Sequence, residues 1–331
     1  MSKKVLVCGA GGFIGGHLVG RLLREGFDVR AVDAKPIHSD NGNCWWQVHP
    51  DAENIVGDLR DSRICHDVCD DIDGIYQLAA DMGGAGFVFS GEHDADIMRN
   101  SALININMAY CMWAERVQQI FYSSSACIYP QTNQTDPDNP NLAEHTAYPA
   151  FPDSEYGWEK LFSERYYLSF ARNYGIKARI ARLHNCYGPN GSWNDGREKA
   201  PAAICRKVAE ALVSGRHEVN VWGDGTYTRS FMWVDDCVEG IRRIMENRNR
   251  KVLNLGSEEM VTINRLVDIV AEIAGIEVEK VHDLTKPQGV AGRNSDNNLI
   301  RHLLSWEPTT PLRDGLEKTF EWILDRVRET Q

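Results

Sequence analysis

The chain has no apolar run near the ~20 residues that a membrane span requires, and it carries no internal repeat, low-complexity tract or Ser/Gly linker. Positive charge is scarce. Against 47 Asp and Glu stand 36 Lys and Arg, which gives a net charge of −11 and a pI near 5.4. That balance argues against a general nucleic-acid binder, whose surface carries a basic footprint; an anionic ligand would need local Lys and Arg to overcome the acidic background. The nine cysteines (8, 44, 65, 69, 111, 127, 186, 205 and 237) contain no CxxC pair and no zinc-finger spacing, so no metal and no disulfide framework are expected. Cys65 and Cys69, on either side of His66, could share a helix face, but buried thiols are the better reading. The first residues, MSKKVLVCGAGG, enter a strand at once without the apolar core and cleavage site of a secretory leader. These absences lead us to expect a soluble, cytoplasmic protein with no membrane and no nucleic-acid partner. A chain of 331 residues, 43% of them hydrophobic, can bury a full core without staples.

What is present is an alternation. Short runs rich in Val and Ile at 4–8, 28–33, 55–59, 74–80, 119–124 and 177–183 predict strands, and helical patterns at 13–25, 96–116 and 154–174 fall between them. That order is the signal of a parallel sheet covered on both faces. A polar, Gly- and Asn-rich stretch at 185–201 breaks it. Helical patterns at 202–213, 234–246 and 263–274 follow, with strands in EVNVW and VLNLGS. The expected fold is α/β: a Rossmann-type doubly wound parallel sheet with a smaller, interleaved C-terminal substrate-binding lobe. Residues 1–180 and about 214–257 would form the dinucleotide-binding part, and about 181–213 and 258–331 the lobe.

After the first strand stands Gly9-Ala10-Gly11-Gly12-Phe13-Ile14-Gly15. Glycines let the chain turn sharply there and let a pyrophosphate approach backbone N–H groups at a helix N-terminus. Asp33 ends the second strand, 22 residues beyond Gly11. A carboxylate at that place accepts a hydrogen bond from a ribose 2′-OH and repels a 2′-phosphate, so the expected cofactor is NAD rather than NADP, although Lys35 lies close by. Asp58 is placed to meet the adenine and reads equally well as a strand-end cap. Ala79 and Ala80, after the fourth strand, are counted to the same site.

Tyr156 and Lys160 occupy positions i and i+4 of one predicted helix, so both side chains share a face. A nearby ammonium favours a phenolate, which suits the Tyr to take a proton from a sugar hydroxyl. With the glycine motif and the Ser123-Ser124-Ser125 cluster, the pair resembles the extended short-chain dehydrogenase/reductase superfamily. Further stretches are less generic: Ala80-Asp81-Met82-Gly83-Gly84, Ser124-Ser125-Ala126-Cys127-Ile128-Tyr129-Pro130, Gly196-Arg197-Glu198-Lys199-Ala200-Pro201-Ala202-Ala203, Gly223-Asp224-Gly225, Thr228-Arg229-Ser230-Phe231 and Gly292-Arg293-Asn294-Ser295-Asp296-Asn297. Along almost the whole chain these resemble the GDP-mannose 3,5-epimerase family.

The resemblance implies an NAD-dependent isomerase. C4 of a nucleotide-bound hexose is oxidised, C3 and C5 exchange protons with a Cys/Lys pair, and C4 is reduced again. Carried onto this sequence, the pair is Cys127 and Lys199. Ser125 would hydrogen-bond the reacting oxygen, with Tyr156 as proton acceptor and Lys160 on the nicotinamide ribose. Met82, Gly83, Gly84, Asn185, Glu198, Ala200, Lys207 and Tyr227 would border the substrate, and Arg229 and Arg293 would clamp its diphosphate through bidentate guanidinium contacts. For Arg229 the plainer reading is a salt bridge to Asp235 or Asp236. The implied conversion is GDP-mannose to GDP-L-galactose or GDP-L-gulose, performed by a homodimer. Plant members differ in two ways: they have Gln where this chain has Tyr227, and they carry a C-terminal tail beyond the point where this chain stops. Other readings are an epimerase of a different NDP-hexose or heptose, a 4,6-dehydratase and a non-catalytic NAD-binding scaffold. A dehydratase would want Asp-Glu in place of Ala126-Cys127, and a scaffold would commonly lose the Tyr or Lys.

Overall fold

A computed structural model describes residues 2–39, 42–286 and 288–330. In chain order the first half contains β1 (Lys4–Cys8), α1 (Phe13–Arg24), β2 (Asp28–Asp33), β3 (Glu53–Val56), α2 (Ser62–Cys69), β4 (Gly74–Gln77), α3 (Ala85–Val88), α4 (Asp94–Ala114), β5 (Gln119–Ser125), α5 (Glu155–Tyr174) and β6 (Lys177–Leu183). Then come β7 (Cys186–Tyr187), α6 (Ala200–Ser214), β8 (Glu218–Trp222), β9 (Thr228–Ser230), β10 (Met232–Trp233), α7 (Val234–Glu246) and β11 (Leu253–Leu255). The chain ends with β12 (Met260–Thr262), α8 (Ile263–Ala274), β13 (Glu279–Asp283), β14 (Gly292–Arg293), α9 (Asn298–Leu304) and α10 (Leu312–Glu329).

Seven strands form one parallel sheet in the order β11-β6-β5-β4-β1-β2-β3. Alternation along a strand sends side chains to opposite faces, and β1 divides accordingly. Val5 and Val7 enter one buried cluster with Leu18, Leu22 and Ile241; Leu6 and Cys8 enter the other with Cys65, Met108 and Tyr167. The sheet is therefore wound on both faces, as expected from the sequence. Cys65 and Cys69 are buried free thiols, and the His66 ring pairs with Glu115 at 2.8 Å.

Chain order reverses between β1 and β4, and such a reversal opens a crevice at the carboxyl ends of the strands. Helix caps fix the elements that face it. Ser154 Oγ accepts from the Gly157 N–H at the start of α5, which ends at Gly175 in the left-handed region, φ 74°. Pro201 stands in the first turn of α6, and Gly215 closes that helix at φ 70°.

The remaining strands lie outside the central sheet. β8 pairs with β13, β12-β9-β14 form a three-stranded sheet, and β7 pairs with β10, while α6, α8 and α10 pack on one another. This differs from the expected partition at one point. Of the segment 214–257 assigned to the dinucleotide-binding part, β8 and β9 belong with the lobe, and only α7 and β11 return to the central sheet. β8 alternates exposed and buried residues, the pattern of a strand with one solvated face, whereas β1 and β4 are buried on both.

Candidate active site

The glycine segment packs backbone on backbone. Gly9 holds φ +78°, and a Cβ there would meet the Ala79 backbone nitrogen at 2.9 Å; a Cβ on Gly15 would lie 2.0 Å from the Gly9 carbonyl oxygen. Gly12 is the N-cap of α1 without any side-chain cap bond, so the first N–H groups of that helix remain for an anion. Trp45 covers Gly11, where a Cβ would come within 2.5 Å of the indole, and its Nε1 donates to the Lys35 carbonyl at 2.8 Å. This is packing. Asp33 Oδ1 accepts from the Lys35 N–H at 3.0 Å. The Lys35 ammonium donates to the Gly11 carbonyl at 2.9 Å, and burial lowers its pKa. Phe13 and Ile14 open α1, and Ala79 and Ala80 lie half-buried beyond β4. A cradle that glycine alone can form, an uncapped helix end and a strand-end carboxylate fit a dinucleotide. Asp58 takes the capping role: its carboxylate accepts from the Arg60 N–H at 2.9 Å and from Arg60 Nη2 at 2.6 Å. That pairing, above all, lowers its pKa.

At the end of β5 the chain turns through one 3₁₀ turn, Ala126–Ile128, with Ser125 Oγ accepting from the Cys127 N–H at 3.1 Å. Helix α5 lies directly on that turn, since a Cβ on Gly157 would sit 2.3 Å from the Cys127 carbonyl oxygen. The contact brings Tyr156 beside Ser125, which pulls its pKa down. Lys160 follows one turn further along α5. Its ammonium donates to the Ser123 carbonyl at 2.9 Å and stands 5.7 Å from the centre of the Tyr156 ring. Burial, then Cys127, push the pKa of the Tyr156 phenol up, against weaker pulls from Ser125 and Arg293. Burial likewise lowers the pKa of Lys160.

A buried ion pair braces this turn from below. Arg182 on β6 holds both Glu164 oxygens at 3.0 Å, Ser124 Oγ donates to Glu164 at 2.5 Å, and Arg182 reaches the Tyr129 hydroxyl at 3.2 Å.

Opposite β4, the segment after Asp81 is clipped to the loop before α6. The Gly84 N–H donates to the Arg197 carbonyl at 2.9 Å, and a Cβ on Gly84 would lie 2.2 Å from the Glu198 carbonyl oxygen. The Arg197 guanidinium sits 4.1 Å above the Phe87 ring and donates to the Met82 carbonyl. Gly83 is buried and Met82 exposed. Glu198 accepts from Arg206 through one oxygen at 3.2 Å, and its other oxygen is buried without a protein partner. Lys199 is the N-cap residue of α6, followed by half-buried Ala200. Asn185 Nδ2 donates to the Ser230 carbonyl at 3.3 Å, and half-buried Tyr227 accepts from the Ile263 N–H through its carbonyl. The Lys207 ammonium donates to the Asn220 carbonyl at 2.7 Å, beside a surface depression of about 330 Å³ shared with Arg206, Arg216 and Glu218.

The two arginines expected to clamp the diphosphate are both held by protein acceptors. Arg229 donates to the carbonyls of Thr228, Ala291, Gln288 and Val290, not to Asp235 or Asp236, and burial lowers its pKa to about 10. It braces the strap 288–291. Arg293 is fixed among Gln134, Asp153 and Cys127. Sequence reading missed Asp153 and Gln134, which meet Arg293 from 140 and 159 residues away. The only local sign was the position of Asp153 directly before the Ser154 cap. It also missed His184, fully buried with neither ring nitrogen well hydrogen-bonded. Asn254 lies close enough to favour protonation of that ring, but burial, Arg293, Arg182 and Lys199 pull its pKa down to about 3.

Over residues 5–256 the chain matches the family described as the NAD dependent epimerase/dehydratase family. The chain belongs to that family. It is 41% identical to a GDP-mannose 3,5-epimerase of Arabidopsis thaliana over 326 residues, which cover 98% of this chain and 83% of the relative. The fold is similar to that of a UDP-glucose 4-epimerase of Thermotoga maritima solved with UDP-glucose, at TM-score 0.83 and 25% identity over 98% of this chain and 99% of the other. It is also similar to MoeE5 in complex with UDP-glucose and NAD, at TM-score 0.77 and 27% identity over 99% and 100%. The expected cofactor is thus borne out as NAD, and the protein is an enzyme of the epimerase type that acts on a nucleotide sugar. Among the described residues no helix is long and apolar enough to cross a membrane.

Proposed function

We propose that this enzyme epimerises GDP-mannose at C3 and C5, giving GDP-L-galactose or GDP-L-gulose. The observation that carries the reading is the mounting of Cys127 beside Ser125 and Tyr156, on the turn against which Gly157 packs. When bound at the glycine cradle, NAD supplies the two-electron acceptor that makes C4 a ketone. Ser125 and Tyr156 hold the C4 oxygen, and Tyr156 takes its proton and later returns it. The ketone acidifies the neighbouring C–H bonds at C3 and C5. Inversion needs a base on one face of the sugar and an acid on the other; Cys127 and Lys199 serve those roles. The unpartnered oxygen of Glu198, buried next to Lys199, accepts from a sugar hydroxyl. A 4,6-dehydratase is disfavoured because Ala126 and Cys127 stand where it would carry carboxylates. A hexose or heptose on another nucleotide remains the alternative.

Incubation with GDP-mannose in D₂O, followed by NMR of the hexose, tests the reading. Deuterium at C3 and C5 with new isomers is expected, and Cys127→Ala should abolish exchange at one or both carbons while NAD stays bound. Unlabelled hexose from NAD-loaded enzyme would reject GDP-mannose as the substrate.

The same proposal extends to assembly. Leu103, Ile106, Tyr110 and Trp113 on α4 and Trp158, Phe162 and Tyr174 on α5 are exposed, and α4 packs along α5. A contiguous apolar face of this kind marks an interaction surface, and a second copy of the chain covers it in a cytoplasmic homodimer. Sedimentation at the mass of one chain would refute that assembly.

A further inference from the structure

Arg293 joins residues that no sequence motif connects. Its Nε donates to Gln134 Oε1 at 2.6 Å, its Nη2 to Asp153 Oδ2 at 2.8 Å and its Nη1 to Cys127 Sγ at 3.0 Å. The arginine and Asp153 side chains are only 8% and 4% exposed, and Gln134 is fully buried. A guanidinium is planar and offers donors only, so two corners fixed on buried acceptors leave the third no freedom to turn. It points at the sulfur. A thiolate accepts such a bond more strongly than a thiol does.

We propose that Arg293, locked by Asp153 and Gln134, is a positioning residue that aims the Cys127 sulfur and, by its direct bond to it, steadies the thiolate form that takes the sugar proton. This deepens the proposed function and rests on its assignment of Cys127. In the step itself the C–H bond beside the ketone breaks and an S–H bond forms. The electron pair left on carbon moves into the carbonyl as an enolate. Arg293 keeps all its protons, so the cation that steadied the thiolate remains beside the newly formed thiol. Asp153 neutralises part of that cation and limits its pull, which makes the arginine and the aspartate opposing controls on one sulfur.

Other groups face the same atom. Lys160 and Tyr156 act on it electrostatically from α5 and Arg229 from β9, and the Ser125 hydroxyl accepts from the Cys127 N–H. Of these, Arg293 alone donates directly to the sulfur among the described residues.

The test is the pH dependence of alkylation of Cys127 by iodoacetamide in the full-length protein, read by mass spectrometry of the peptide that contains it. Cys44 is the other thiol that is not buried and is resolved as a separate peptide. Arg293→Gln should raise the pH midpoint of alkylation by about one unit or more, and Arg293→Lys should restore part of that shift. Asp153→Asn should move it the other way, to lower pH, which a merely structural role would not do. Melting curves identify variants that fail to fold, and if Arg293→Gln is among them Asp153→Asn decides alone. A midpoint that is unchanged, or that rises in Asp153→Asn, overturns the proposal. Alkylation needs no substrate. Should the midpoints shift as expected while Cys127→Ala still exchanges deuterium, the arginine–thiol pairing stands and the catalytic reading of Cys127 falls.

Discussion

The cofactor end and the sugar end of this crevice are built on different principles. The first is a single contiguous segment, Gly9–Gly15, whose chemistry comes from its own backbone and from the start of α1. The second is assembled from side chains on β5, α5, α6, β14 and the loops between them, and polar contacts hold those pieces in register. A backbone site tolerates few side chains but needs few partners. A side-chain site needs every partner, because a buried charge left unpaired is costly.

Two glycine replacements break the comparison most directly. Gly15→Val places atoms onto the Gly9 carbonyl, where even a Cβ would lie at 2.0 Å. Overpacking of this kind costs about 1–3 kcal/mol, so NAD affinity should fall by about ten- to a hundredfold with Cys127 alkylation unaltered. Gly84→Ala pushes on the Glu198 carbonyl, where its Cβ would lie at 2.2 Å. Turnover should drop by a similar factor while NAD affinity holds. Calorimetric titration with NAD, set beside the initial rates of both variants, checks the pair; equal losses of NAD affinity would mean that the two ends are not separable.

A smaller effect sharpens the picture of the sugar end. His184 has a pKa of about 3 in the fold, against 6.5 for the free side chain, so between those values the unfolded chain binds a proton that the folded one does not. Its contribution to stability is therefore present above pH 6.5 and is lost as pH falls toward 3, by up to about 1.4 kcal/mol per pH unit. His184→Gln should flatten that decline between pH 6.5 and 5 in urea unfolding. A slope equal to that of the wild type would show that the ring is protonated inside the fold.

These two ends also differ in how far the sequence reveals them. Strands and helices with a strong period are legible to the residue: Lys177–Leu183, Glu218–Trp222, Val234–Glu246 and Ile263–Ala274 stand where the pattern puts them. The glycine cradle is legible because its neighbours in space are its neighbours in the chain. β9, β12 and β14 have two or three residues each, too few to display alternation, so the transfer of residues 214–233 to the lobe went unseen. Arg229 and Arg293 were legible as important but not as to purpose. Charge says that an arginine seeks acceptors, but only the fold shows the carbonyls of Gln288, Val290 and Ala291 around Arg229 and the Cys127 sulfur beside Arg293. Helical spacing places Tyr156 and Lys160 on one face, and only the fold shows that the Ser123 carbonyl holds the ammonium there.

The absence of a side chain at Gly157 ties Cys127 and Tyr156 to one mount. Under the proposed chemistry the ketone is made and its neighbouring carbons are inverted at stations that cannot drift apart. The sugar has no reason to turn over or depart between them, and an enzyme stranded with reduced cofactor after losing a half-finished sugar becomes a rare event. One hydrogen atom, where every other residue carries carbon, thus bears on how many cycles the protein completes before it must be reset.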